Sequence, residues 1–316
     1  MKLAWFFPGQ GSQSVGMGRD LRDASPAARA VFDAADAALG EGLTDLILNG
    51  PEERLTLTEN AQPAIVTVSM AALAALRERL PDHEAVRPAF AAGHSLGEYS
   101  ALVAAGALPL EAAVRLVRAR GKAMQSAVPP GVGAMAAIMG IDDRARLEAL
   151  CREASQGDES VQPANFNAPG QVVIAGHAAA VARASDLASK ERGKAIALKV
   201  SAPFHCALMA PAARALQGEL ERVVIGAPAF PVVANFDATP NADAARVKEL
   251  LVRQVDGAVR WEDSVRRMVA DGVTHALEIG PGKVLAGLCR RISKELKVLS
   301  VSDMTALDGV DAFLRS

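Results

Sequence analysis

Cysteine is scarce and scattered: the chain has three, Cys151, Cys206 and Cys289, odd in number and with no Cys-x-x-Cys pair. That spacing excludes a disulfide scaffold and a cysteine-ligated zinc site, and a reducing cytoplasm is the expected compartment. The five histidines show no ligand spacing either, so no metal is implied. Charge of one sign is also lacking. Thirty-four Lys+Arg stand against 36 Asp+Glu, a net charge of -2, which gives no global pull toward nucleic acid or an anionic membrane. Long hydrophobic runs are absent: Leu3 to Phe7 is stopped by Pro8-Gly9, too short for a signal-peptide core, and no later stretch reaches membrane-spanning length without polar residues. A soluble, unprocessed protein is expected. Gly9-Gln10-Gly11 lacks the lysine of a phosphate loop and the third glycine of a dinucleotide motif, so no cofactor is implied.

What the chain does have is 316 residues with 50% hydrophobic content, enough for a large core and for two domains or one with an insertion. Leu3 to Phe7 reads as a buried strand feeding the glycine-rich loop Pro8 to Gln13. Pro51 to Leu80 reads as helix in two pieces, with Thr58 or Asn60 as possible caps, ahead of a strand at Ala89 to Ala92. Leu110 to Ala127 repeats apolar residues at helical spacing before Pro129-Pro130-Gly131 breaks the chain. From Gly133 to Val200 the order is strand 134–139, helix 143–154, strand 161–166, strand 171–175, helix 178–190 and strand 195–200. That β-α-β-β-α-β order is the ferredoxin-like signature. Residues 131–200 are therefore expected as an inserted small domain, and 1–130 with 201–316 as the large one. Pro231 to Phe236, His275 to Ile279 and Val298 to Val301 are further strands, alternating with helices such as Trp261 to Ala270, as a mostly parallel sheet requires.

The chemical signal is Gly93-His94-Ser95-Leu96-Gly97, between the Ala89 to Ala92 strand and a small-residue helical segment. A serine on a sharp strand-to-helix turn needs glycine two positions to either side, because side chains there would meet neighbouring backbone. Ser95 is then an exposed nucleophile, and the Leu96 N–H at a helix start is placed for an oxyanion. A serine hydroxyl also needs a base. Among the histidines, His94 reads as a packed elbow residue turned to the other side, His83 as a solvated loop residue, His177 as a cap or surface residue, and His275 as a core or edge residue. His205 remains, at Ala202-Pro203-Phe204-His205, where the chain re-enters the large domain and a cleft is expected. Arg120, flanked by Arg115, Arg118 and Lys122, reads by pattern alone as part of a solvated helix face.

Seven ordered segments carry a resemblance: Pro8 to Gln13, Gly93 to Ser100, Arg120 to Gln125, Gly133 to Met135, Asn165 to Gln171, Ala202 to His205 and Glu278 to Gly282. Together they resemble the malonyl-CoA:acyl carrier protein transacylases, free-standing acyltransferases, over nearly the whole chain. The resemblance implies a large α/β-hydrolase-like domain with a ferredoxin-like insert. It implies Ser95 as nucleophile and His205 as base, with His205 oriented by the Gln254 backbone carbonyl; Asp237 and Asp256 are the alternatives for a carboxylate triad. It further implies an oxyanion hole from the Gln10 and Leu96 N–H groups, and Arg120 as the grip on a substrate carboxylate. Phe204 would restrict branching next to the acyl carbonyl, and Asn167 would line the site. The implied partners are malonyl-CoA and holo acyl carrier protein, with Lys283, Arg290, Arg291, Lys294 and Lys297 as a basic patch for the acidic carrier. This chain has Ser201 ahead of Ala202-Pro203-Phe204-His205, closer to the free-standing enzymes than to modular ones with His-Ala-Phe-His.

The leading expectation is thus a ping-pong malonyl transferase of fatty-acid biosynthesis. A free-standing acyltransferase feeding a polyketide assembly line, or malonate decarboxylase, is the alternative within the transferase class. A serine thioesterase or esterase shares the elbow but has no need of Arg120. A docking module with a decayed site is disfavoured, because nucleophile, base candidate and oxyanion loop are all present.

Overall fold

The computed structural model describes residues 1–80 and 86–316; His83 lies outside them. In chain order the strands are β1 (Leu3–Phe7), β2 (Phe90–Gly93), β3 (Gly133–Met139), β4 (Val161–Ala168), β5 (Gln171–His177), β6 (Lys194–Ala197), β7 (Val232–Val233), β8 (Pro240–Asn241), β9 (His275–Ile279) and β10 (Lys297–Val301). They form a six-stranded sheet ordered β10-β9-β1-β2-β7-β8 and a four-stranded sheet ordered β4-β5-β3-β6. The first is parallel except for β8, which runs antiparallel to β7. β1 lies inside it with every residue buried, as the unbroken apolar run Leu-Ala-Trp-Phe-Phe requires of a strand covered on both faces.

Register places the chemistry. Phe7 pairs with Gly93, so β1 and β2 end level and their loops, Pro8 to Gln13 and the elbow, emerge side by side. Ligand sites in open parallel sheets lie beyond such carboxyl ends. The Gly9 position shows how closely the loops approach: a Cβ there would stand 2.5 Å from the His94 carbonyl oxygen.

The second sheet is antiparallel throughout. Helices Arg144–Ala154 and Ala178–Lys190 pack on it over a separate apolar cluster that includes Ile138, Leu147, Phe166 and Ile174. This is the expected ferredoxin-like arrangement. It is tied to the large sheet's layer by backbone bonds from Val259 N to Ala164 O and from Phe166 N to Val259 O, both 2.9 Å. Arg144 adds ion pairs to Glu262 and Asp263 at 2.8 and 2.7 Å.

Some local expectations are corrected. β6 stops at Ala197 rather than 200, because Val200 N turns back to Leu198 O ahead of Pro203, which has no donor. Of Pro231 to Phe236 only Val232–Val233 pairs; the chain then turns, with Ala238 N bonded to Ala234 O. Neither Thr58 nor Asn60 caps the helix Thr58–Arg79, whose N-cap is Leu57. The Thr58 hydroxyl instead accepts from Gln10 Nε2 at 3.2 Å, and Asn60 accepts from Arg118. His177 sits at a helix N-cap without capping it; its Nδ1 accepts from Ser160 N. Among the described residues no helix is long and apolar enough to cross a membrane.

Candidate active site

The elbow is built by close approach. A Cβ on Gly93 would lie 1.9 Å from the Gly97 carbonyl carbon, and one on Gly97 would lie 2.2 Å from Phe7 O, so both positions must be glycine. Between them Ser95 is forced to φ 52°, a left-handed conformation that disfavours side-chain-bearing residues by about 1–2 kcal/mol. Two distant side chains hold it there. Asn235 Oδ1 accepts from Ser95 N at 2.6 Å, and Gln254 Nε2 donates to Ser95 O at 2.8 Å. Asn235 Nδ2 also donates to Gly93 O at 2.7 Å.

The Ser95 hydroxyl lies 2.8 Å from His205 Nε2, and His205 Nδ1 lies 2.8 Å from the Gln254 carbonyl oxygen. A carbonyl only accepts, so Nδ1 carries the proton and Nε2 is free to accept from Ser95 Oγ. Asp237 is engaged elsewhere, with Thr239 N and Arg246, and the proton on Nδ1 is directed to the carbonyl rather than to Asp237 or Asp256. His205 is buried. Burial first, and then the Arg120 charge, bring its pKa down to about 3, so the imidazole is neutral and basic-ready at physiological pH.

Arg120 is the largest departure from the local charge pattern. Its neighbours Arg115 and Lys122 are exposed, but Arg120 is 1% exposed. Its helix, Leu110–Ser126, lies so close against Thr58–Arg79 that a Cβ at Gly121 would be 2.7 Å from Thr58 O, and Arg120 extends inward from that contact. Its Nη2 donates to Ser95 Oγ at 3.0 Å and to Gln254 Oε1 at 2.9 Å, and its Nη1 donates to Gln62 Oε1 at 2.8 Å. All three acceptors are neutral, and Nε is buried with no hydrogen-bond partner among the described residues. A desolvated guanidinium with an unused donor beside a serine hydroxyl has the chemistry to receive an anion.

These groups share a cavity of about 510 Å³ lined by Gln10, Leu96, Asn167, Phe204 and both members of the Ser95–His205 pair. The backbone N–H groups of Gln10 and Leu96 stand on adjoining loops, and Leu96 opens the helix Gly97–Ala104, where amide dipoles favour negative charge. His94 packs against Trp261 as an elbow residue, but it also faces this cavity instead of turning away, because its Nε2 bonds Asn167 Oδ1 at 2.8 Å. The residues that sequence reasoning missed are Gln62, Glu98 and Asn235, together with the side chain of Gln254. Glu98 lies inside the Gly93 to Ser100 segment, so its position was in view; nothing local marks the other three.

The acyl transferase domain family matches residues 4–308. The malonyl CoA-acyl carrier protein transacylase of Bacillus subtilis (strain 168) is 48% identical over 309 residues, covering 97% of this chain and 95% of that one. The solved acyl-carrier-protein-S-malonyltransferase from Bartonella henselae aligns over 100% of both chains with a TM-score of 0.95 and 46% identity. A type II PKS acyl-carrier protein in complex with its malonyl-transacylase has been solved, and that match covers 98% of each chain, with a TM-score of 0.92 and 44% identity. With the family model matching residues 4–308 and full-length relatives near half identical, the chain belongs to the acyl transferase family, within the group of malonyl CoA-acyl carrier protein transacylases.

Proposed function

We propose that this protein transfers malonyl from CoA to the phosphopantetheine thiol of holo acyl carrier protein, through malonyl-Ser95, in fatty-acid biosynthesis. The observation that carries the reading is convergence on one atom: Ser95 Oγ is 2.8 Å from His205 Nε2 and 3.0 Å from Arg120 Nη2. Nucleophile, base and carboxylate receptor thus meet within one acyl chain's length. An esterase acting on uncharged acyl groups has no use for a desolvated guanidinium at that place.

In the first half-reaction Ser95 Oγ attacks the thioester carbon while its proton passes to His205 Nε2. The oxyanion is received by the N–H groups of Gln10 and Leu96. Collapse breaks the C–S bond, and the departing CoA sulfur takes the proton from His205. In the second half the carrier thiol gives its proton to His205 and attacks malonyl-Ser95; the C–O bond breaks and Oγ recovers the proton. Throughout, the Gln254 carbonyl orients the ring, Arg120 holds the malonyl carboxylate, and Phe204 and Asn167 shape the pocket.

We further assign residues 131–200 as the inserted domain and 1–130 with 201–316 as the catalytic domain; the strands of the second sheet all fall within 133–197. Within the basic patch, Arg291 is engaged with Pro169 O and Gln171 and Lys297 with Ser316 O. Lys283, Arg290 and Lys294, all exposed, are therefore its better candidates for carrier docking. The three cysteines are free thiols, which fits a cytoplasmic setting.

Intact mass after brief mixing with malonyl-CoA tests the reading, using wild type and Ser95→Ala with holo carrier protein added to half of each sample. The expected result is a malonyl adduct on wild type only, stable without acceptor and discharged by the carrier. No adduct with steady release of free malonate would overturn it in favour of a hydrolase.

A further inference from the structure

Glu98 is a carboxyl group 3% exposed, one helical turn behind the nucleophile, and no step above uses it. Its Oε2 accepts from Asn235 N and from Gln254 Nε2, both at 2.9 Å. Those two residues hold everything that reacts. Asn235 clamps Ser95 N and Gly93 O. Gln254 holds Ser95 O through its Nε2, Arg120 through its Oε1, and the His205 ring through its main-chain carbonyl. One carboxylate oxygen therefore sits at the node joining elbow, base and guanidinium.

The arrangement also solves a charge problem. A buried guanidinium with only neutral partners is costly without a nearby anion. A carboxylate placed directly on Arg120 would occupy the donors that a substrate carboxylate needs. Here the Gln254 amide stands between them, its oxygen toward Arg120 and its nitrogen toward Glu98. The anion balances the cation at one remove and leaves Arg120 Nε without a partner among the described residues. We propose that Glu98 is a positioning residue of the transfer reaction, acting in its ionised form through Gln254 and Asn235 to align Ser95, His205 and Arg120 while leaving the guanidinium open to the acyl carboxylate.

The charged and titratable groups facing Glu98 are Arg120 from the helix Leu110–Ser126, Asp237 from the turn after β7 and Tyr99 on its own helix; His205 lies beyond Gln254. Burial raises the Glu98 pKa to about 7, against the lowering effect of its two hydrogen bonds and Arg120. His205, at about 3, does not titrate in that range. With Glu98 raised by burial and His205 lowered by it, the acid limb expected near neutrality is assigned to Glu98.

The inference rests on the transferase reading, and the test separates the two: absence of any Ser95 adduct on wild type rejects the reading, whereas a wrong pH profile rejects only Glu98. Single-turnover malonylation of Ser95 is measured from about pH 5.5 to about 8.5 with malonyl-pantetheine, which carries no phosphate titrating near neutrality. Wild type should lose rate as pH falls through about 7. Glu98→Gln, of equal volume, should be slower by roughly tenfold to a hundredfold at pH 8, with the loss in the maximal rate rather than in half-saturation, and its acid limb should vanish. Glu98→Asp, which keeps the charge, should retain the limb. A wild-type rate flat across the range overturns the proposal without any substitution being made. A Glu98→Gln profile that keeps the wild-type limb, or a loss confined to half-saturation, also overturns it.

Discussion

Arg120 is desolvated and has no anionic partner in contact among the described residues, so its loss should separate substrate classes rather than slow all of them. Arg120→Ala should reduce kcat/KM for malonyl-CoA by roughly a hundredfold or more and raise the acetyl-to-malonyl ratio. Competition between the two thioesters, read by mass on Ser95, checks this; unchanged malonyl preference would refute the carboxylate grip. Arg120→Lys keeps the charge but not the planar fork and should fall between. At the same scale, two buried groups act oppositely on folding. His205 has a folded pKa below its ordinary 6.5, so the unfolded chain binds the proton first. Its contribution is present above pH 6.5 and is lost as pH falls toward about 3. Glu98 is raised from 4.5 to about 7, so its contribution is full below 4.5 and is lost as pH rises through 7. Between 4.5 and 6.5 the slopes oppose each other. Glu98→Gln should remove one of them and make urea midpoints fall more steeply from pH 7 to pH 5 than in wild type.

At the scale of the element, the strand–turn–helix from β2 through Gly97–Ala104 is held by contacts closer than a methyl group allows. Gly97→Ala would bring a Cβ to 2.2 Å from Phe7 O, and the resulting backbone shift should cost about 1–3 kcal/mol, seen as a lower denaturation midpoint and a displaced nucleophile. Asn235→Ala leaves Ser95 N and Gly93 O without their partners. It should cost about 1–3 kcal/mol and reduce kcat with half-saturation little changed, as steady-state kinetics can show. The elbow was legible because its rule is local: glycine, serine and glycine two apart between a strand and a helix. Its supports were not, since Asn235 and Gln254 lie 140 and 159 positions from the Ser95 groups they bind, and no periodicity spans that distance. Arg120 was obscured for another reason. Exposed neighbours shared its charge, and only the packing of two helices at Gly121 turns it inward. The β3 to β6 order was readable from alternating strand and helix lengths, whereas the strand ends after β6 and in β7 depend on turns that tertiary bonds impose.

Over the whole molecule, the second sheet forms one wall of the site, with Asn167 on β4 and the Leu198–Ser201 segment after β6 lining the cavity. Its attachment through the Ala164, Phe166 and Val259 backbone bonds and the Arg144 ion pairs makes that wall part of the scaffold. Arg144 is partly exposed but its partner Glu262 is buried and keeps only Arg266 among the described residues once Arg144 is lost, so Arg144→Ala should lower stability by about 1–3 kcal/mol; a larger effect on the Michaelis constant for malonyl-CoA than on the denaturation midpoint would show that these pairs set the width of the cleft. A carrier-docking role for the exposed basic patch predicts that Arg290→Glu with Lys294→Glu raises the Michaelis constant for carrier protein, more so at low salt, and leaves that for malonyl-CoA unaltered.

The hydrogen bond from His205 Nδ1 to a main-chain carbonyl has a consequence for what this site is able to exchange. A carbonyl offers the imidazolium a dipole and not a full negative charge, so the protonated ring gains only modest stabilisation and surrenders its proton readily. The same ring is a weak base toward the Ser95 hydroxyl, so an unactivated amide, which needs a strongly activated nucleophile, is poorly served. A thiol is acidic enough to leave with little help, and the incoming and outgoing thioesters are almost equal in energy. The site therefore behaves as a two-way exchanger between thiols: supplied with malonyl-loaded carrier protein and free CoA, it should run the transfer in reverse with comparable ease, and net direction should be set by the reactions that draw off the product.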